Sequence, residues 1–250
     1  MLSIFALGLT ALPSSAAEFD QTHKVFDDVL HHYVKDARVD YANLKANRQE
    51  LNRYLGQVAA VTKSDFKQWN ENEQIAFLIN AYNSYTLRLI LDHYPVKSIK
   101  DIGHIWSGPW DQPVVRLFGN TITLNSLEKE IRDYHDPRIH FALVCASIGC
   151  PPLRSKAYVA SRLNEQLDEQ ARQFMANRSK NRVDVANRTI YLSPIFKWYA
   201  GDFQNKAGSV LDFINPYWPK DERAELEKLG QEKFEVRYTD YDWSLNAQAK

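Results

Sequence analysis

The stretch NENEQIAFLINAYNSYTLRLILDHY, residues 70–94, decides how the rest of the chain is read. Its apolar residues do not alternate as a strand's would, and they spread round a helical wheel instead of striping one side. Asn70 followed by Glu73 is a capping-box signature for its start, and Pro95 stops it. A helix that is apolar on nearly every side belongs at the centre of a fold, with the other elements packed around it. Asn80 and Asn83 lie three apart on one face of this helix. Mid-helix amides are costly if buried unpaired. They therefore either donate to substrate carbonyls from the polar rim of a cleft or bind loop backbone, for example around 145–150. Buried amides more commonly do the latter.

Working outward, Val25, Phe26, Val29, Leu30, Tyr33 and Val34 share a helical face that opens at Asp20. RVDYANL (38–44) alternates as a short strand, and 47–60 reads as a helix with Leu51, Leu55 and Val58 inward. VVRLFGNTITL (114–124) is a hairpin turning at Gly119-Asn120, and VDVANRTIYLS (183–193) is another turning at Asn187-Arg188. Residues 161–176 form an amphipathic helix with Leu163, Leu167, Ala171 and Phe174 inward. LSPIFKWYAGDF (192–203) is a strand end running into a short helix. Helices near 208–216 and 220–229 follow, and FEVRYTDYDWSLN (234–246) closes the chain as a strand. No repeat or Gly/Ser linker divides these elements. The expected fold is one α+β domain over residues 18–250, with an antiparallel or mixed sheet.

Lys plus Arg and Asp plus Glu both number 31, so the formal net charge is zero and nothing suggests a uniformly basic, nucleic-acid-binding surface. Six Trp and thirteen Tyr exceed what a minimal core requires. Leu2 to Leu12 is an apolar run of signal-peptide length, followed by small residues up to Ala17. Residues 1–17 are therefore expected to be an export signal, and the mature protein periplasmic or secreted. No segment has the length and apolarity of a membrane span.

Both cysteines fall in RIHFALVCASIGCPP, residues 138–152. If Ile139 to Cys145 is a buried strand, His140 and Cys145 point to opposite faces. Cys150 lies beyond Ser147 and Gly149 in a loop that can reach either face. One reading is a Cys145–Cys150 disulfide pinning the strand end, worth about 2 kcal/mol for so short a loop. Another is a catalytic thiol, with Cys150 as nucleophile and His140 as base. Asn80, Asn83 or Glu128 would then orient the base, with Asn80 or Asn83 the alternative donor to the oxyanion. A zinc site would need shorter ligand spacing than His-x4-Cys-x4-Cys, and a redox site the C-x-x-C arrangement. No metal or cofactor is expected.

Glu128 falls three residues after Asn125, where a carboxylate simply caps a helix, and Arg132 one turn on is placed to pair with it. Lys197, Trp198, Tyr199 and Asp202 form a polar–aromatic cluster that is either a substrate wall or a packed corner. Asp242, Trp243 and Asn246 are an unusual tail, expected to pack back and build a pocket or seal the core. His23, His31, His32, His93 and His135 read as surface residues. His104 sits in a Gly/Trp-rich loop.

Four blocks together resemble the domain of unknown function 547 family. They are AFLINAYNSYTLRLIL (76–91), DPRIHFALVCASIGCPPL (136–153), IFKWYAGDF (195–203) and YDWSLN (241–246). TLNSLEKEIR (123–132) is similar to the segment that links the first two in the family. Where family members often carry a His after the Glu of that segment, this chain has Lys129. The resemblance implies one domain from about Phe19 to Asn246 but no reaction. From the residues, the expectation is an exported thiol-dependent hydrolase or acyl transferase acting on an amide or peptide. The alternative is a non-catalytic binding or interaction domain with a structural disulfide. In either case the partner is a small molecule or peptide of unknown identity.

Overall fold

The computed structural model describes residues 18–103 and 107–249. The expected export signal, residues 1–17, and His104 lie outside them. The chain opens with α1 (Lys24–Tyr33), whose Val25, Phe26, Val29 and Leu30 are buried. A two-residue hairpin, β1 (Val34–Lys35) and β2 (Arg38–Val39), follows. Instead of continuing as a strand, the chain then turns into α2 (Tyr41–Ala46), because the Asp40 carboxylate accepts from the Asn43 N–H and caps a helix there. Next come α3 (Gln49–Ala60), with Leu51, Leu55 and Val58 inward, and the single turn α4 (Lys63–Phe66).

The central helix is α5 (Glu71–His93), with Asn70 and Glu73 forming the capping box at its start. It is buried from Ile75 to Leu87 without a break. The hairpin β3 (Val115–Leu117) and β4 (Asn120–Ile122) turns at Phe118-Gly119, one residue before the expected position. Both turn residues have positive φ, 52° and 77°, as a two-residue turn of this hand requires.

Then α6 (Leu124–Arg132) starts two residues earlier than read from the sequence. Thr123 caps it by accepting from the Ser126 N–H, so Asn125 and Glu128 are not its capping pair. After α7 (Leu163–Met175), β5 (Arg182–Asp184) pairs antiparallel with β6 (Thr189–Leu192). Four short helices follow: α8 (Ile195–Trp198), α9 (Ala200–Ala207), α10 (Val210–Ile214) and α11 (Lys220–Leu229). Finally β7 (Glu235–Tyr238) lies parallel to β6, completing a mixed three-stranded sheet. The fold is α+β. Among the described residues no helix is long and apolar enough to cross a membrane.

Two apolar cores divide the molecule. One surrounds α5 and takes in α1, α3 and α6. The other is built from Phe174 of α7, the β5–β6–β7 sheet and the following helices. Residues 137–153 run along their boundary, since Ile139, Leu143 and Cys150 pack in the first core and Phe141 in the second. This segment is not the expected strand. Pro137–Phe141 is a 3-10 turn, capped by the Asp136 carboxylate accepting from the Arg138 N–H. A short apolar run between polar residues does not distinguish a buried strand from a buried helical turn. Asp136-Pro137 tips the balance, because proline suits the first helical position.

Candidate functional site

Backbone buried without helix or sheet partners must find others, and for residues 137–152 they come from side chains on neighbouring elements. Asn83 of α5 donates from Nδ2 to the Ala142 carbonyl and accepts from the Val144 N–H, each at 3.0 Å. Asn80, one turn earlier, does the same for Tyr158, at 2.7 and 3.0 Å. Gln170 of α7 donates to the carbonyls of Phe141 and Pro152. Lys180 donates to the Cys150 carbonyl at 2.6 Å. The tail supplies the rest, with backbone bonds from Gly149 to Asp242 and from Ile148 to Ser244. A Cβ at Gly149 would meet Tyr241 Cδ1 at 2.9 Å and the Asp242 backbone at 3.0 Å, so only glycine lets the tail lie this close.

This scaffold walls a cavity of about 220 Å³. His140, Cys145, Cys150 and Glu128 all line it, so four of the residues singled out in the sequence come together. Asn80 and Asn83 do not line it. Their amides are committed to backbone, and they position the segment rather than face a substrate. The expected opposition of His140 and Cys145 across a strand disappears with the strand.

The two cysteines are free thiols rather than a disulfide. Cys150 is buried, and its Sγ accepts the Cys145 N–H at 2.9 Å. Burial and the neighbouring Cys145 push the Cys150 thiol well above its ordinary pKa. Cys145 differs. Its Sγ is 3.0 Å from the Tyr241 hydroxyl and 3.1 Å from the Ser147 hydroxyl. Burial raises the Cys145 thiol, but hydrogen bonds from Cys150, Ser147 and Tyr241 outweigh it and leave the thiol below its ordinary value. The sulfur with nucleophile-like surroundings is therefore Cys145, not the Cys150 expected from loop freedom. Tyr241 was missed in the sequence. Only its place beside Asp242 and Trp243 in the odd tail marked it.

His140 is 4% exposed. Its ring stacks on Tyr199, with centroids 3.9 Å apart, and its Nε2 lies 2.7 Å from Asp202 Oδ2. Arg132 at the end of α6 grips the same carboxylate with two hydrogen bonds, at 2.8 and 2.9 Å. That bidentate pair is the main reason Asp202 stays below the usual carboxylate range, with His140 contributing. Arg132 thus serves Asp202 instead of the expected Glu128. Burial draws the His140 imidazole down to about 4, against the pull of Asp202. The ring is neutral at pH 7, with Nε2–H donating to Asp202 and Nδ1 unprotonated.

Glu128 projects into the cavity from α6. Burial raises its pKa, opposed by a hydrogen bond with Tyr199. Asn125, no longer a cap, donates to Asp111 at 2.7 Å. The far wall is aromatic, made by Trp110, Trp198, Tyr241 and Trp243. The Lys197–Asp202 cluster therefore splits its duties, Trp198 and Tyr199 lining the cavity and Asp202 holding the imidazole. The tail seals as well as lines, since Asn246 accepts from the Tyr41 hydroxyl at 2.7 Å. His31, His32, His93 and His135 are exposed as expected, but His23 is buried with its Nδ1 2.7 Å from the Tyr54 hydroxyl. Among the described residues no group of three or more His, Cys, Asp or Glu side chains is arranged to hold a metal ion.

No curated protein and no solved structure matches the chain. A family model does, and its span takes in α5, α6, the thiol segment and α7, while the blocks at 195–203 and 241–246 lie beyond it. Residues 66–175 match the family described as "Protein of unknown function, DUF547".

Proposed function

We propose that the protein is a thiol-dependent hydrolase or acyl transferase acting on an amide or peptide, with Cys145 as nucleophile. The observation that carries this reading is the Cys145 sulfur. It is held by two hydroxyls in the same cavity as an imidazole fixed by a carboxylate. A depressed thiol pKa and an oriented base are what nucleophilic catalysis by cysteine needs.

In this reading the Cys145 proton passes to His140, whose positive charge Asp202 offsets. Sγ attacks the substrate carbonyl carbon. Glu128, whose pKa burial raises, lines the same cavity and in its protonated form would donate to the developing oxyanion. The C–N bond then breaks, the amine leaves with the proton from His140, and a thioester remains on Cys145. Water or an acceptor amine attacks the thioester, again giving its proton to His140, and the thiol is restored. Tyr241 and Ser147 hold the sulfur throughout. The segment 1–17 would export this chemistry to the periplasm or beyond.

The rival reading is a non-catalytic binding domain, and it draws on the closeness of the two cysteines. A bridge between them would remove the nucleophile. The test is acylation of the reduced protein by p-nitrophenyl acetate. The thiol reading expects one equivalent of p-nitrophenol in a burst and an acetyl group on Cys145, both lost in Cys145→Ser and slowed in His140→Ala. Acetylation elsewhere, or none, favours the binding domain.

A further inference from the structure

We propose that the aromatic wall of the cavity is a specificity subsite for one uncharged aromatic ring next to the reacting carbonyl. This inference rests on the thiol reading above. The wall begins at the sulfur, where the Tyr241 hydroxyl lies 3.0 Å from Cys145 Sγ. From there the rings pass outward in contact. Tyr241 and Trp243 are 4.5 Å apart by centroid, and Tyr241 and Trp198 are 4.8 Å apart. Trp198 and Trp243 lie within 25° of parallel at 5.9 Å, and Trp110 closes on Trp243 edge-on at 6.0 Å. Four aromatic rings thus form one surface running from the nucleophile to solvent.

Trp198 is the outer end and is 49% exposed, although it belongs to a helix whose neighbours Ile195 and Phe196 are buried. An indole left half in water beside a cavity has unspent apolar area and an electron-rich face, which suits edge-to-face or offset packing with a further ring. Charge narrows the occupant. Among the described residues no Lys or Arg lines the cavity, so none of them would neutralise an anionic substituent. The cation–π position over Trp243 is already taken by Lys100, whose Nζ is 4.7 Å from the ring centroid, so a cationic group gains little. Size narrows it too. About 220 Å³ is below the ~300 Å³ at which sites for drug-sized ligands begin, leaving room for one ring and its acyl or amide link.

The test is alkylation of the reduced, full-length protein by three chloroacetamides bearing N-methyl, N-cyclohexylmethyl or N-benzyl groups. In each, the Cys145 thiolate attacks the CH₂ carbon and chloride leaves, and peptide mapping gives the rate at each cysteine. The benzyl reagent is expected to label Cys145 several-fold to about tenfold faster than the methyl reagent, with saturation. The cyclohexylmethyl reagent should fall clearly short of it. Trp198→Ala should bring the benzyl-to-methyl ratio towards one, and Trp198→Phe should keep most of it. Labelling of Cys145 with no ring preference overturns the subsite alone. So does cyclohexylmethyl matching benzyl, or a ratio indifferent to Trp198→Ala. Failure of all three reagents to label Cys145 overturns the thiol reading and the subsite with it.

Discussion

Cys145 and Cys150 are five residues apart, yet their surroundings act on them in opposite directions. One is surrounded by hydroxyl groups, and the other accepts a backbone N–H deep in the core. Tyr241→Phe removes a donor to the Cys145 sulfur and should raise its pKa toward the ordinary ~8.5. Alkylation at pH 7 is then expected to slow several-fold, and the rates of variant and parent to converge in alkali, as a pH–rate series with iodoacetamide would check. Two histidines buried among the described residues, His23 and His140, respond to acid. Burial holds both His23 and His140 down to about 4, from 6.5 in the unfolded chain. Above pH 6.5 both rings are neutral in either state, and their burial costs no proton. As pH falls from 6.5 to 4 the unfolded chain binds protons that the folded one refuses, so stability is lost across that window. The loss is on the order of 3 kcal/mol for each ring. Denaturant titrations at several pH values should show this slope, and His23→Asn, which tolerates the φ of 52° at that position, should reduce it by about half.

At the scale of elements, α5 acts through its amides as much as through its apolar surface. Asn83→Ala leaves the Ala142 carbonyl and the Val144 N–H buried without partners, and should cost about 3 kcal/mol by urea unfolding. Because the loss falls on the thiol segment, acylation of Cys145 should weaken as well. At α6 the cap is Thr123. Thr123→Ala is expected to cost about 1 kcal/mol, and Asn125→Ala well under that, which thermal unfolding of the pair would resolve. The strong patterns here were readable from residue order alone. The capping box of α5, the inward faces of α1, α3 and α7 and the two hairpins follow from periodicity and turn chemistry that act locally. The run 139–145 was not. Its backbone is satisfied by Asn83, some sixty residues upstream, and no local pattern announces that.

For the whole molecule, the site exists because two cores and the chain's tail meet. α5 and α6 bring Tyr82 and Glu128, the thiol segment brings His140 and Cys145, α9 brings Asp202, and the tail brings Tyr241 and Trp243. Which residues matter was partly legible, since His140, Cys145, Glu128, Trp198, Asp202 and Trp243 all stood out by type and company. Which sulfur sits among hydroxyls and what holds the imidazole depend on contacts between residues 62 to 96 positions apart, and spacing carries no such information. Removing residues 241–250 should strip the cavity wall and the backbone partners of Ile148 and Gly149. A lowered unfolding midpoint and loss of the difference between the two thiols are expected, by calorimetry and thiol mapping.

The most direct measurement is site-resolved alkylation of the reduced native protein by iodoacetamide, followed over pH. Labelling of Cys145 ahead of Cys150, with a midpoint below the ordinary thiol value and Cys150 protected until unfolding, is the predicted result. Labelling of Cys150 first, or of neither cysteine until the protein unfolds, would contradict it.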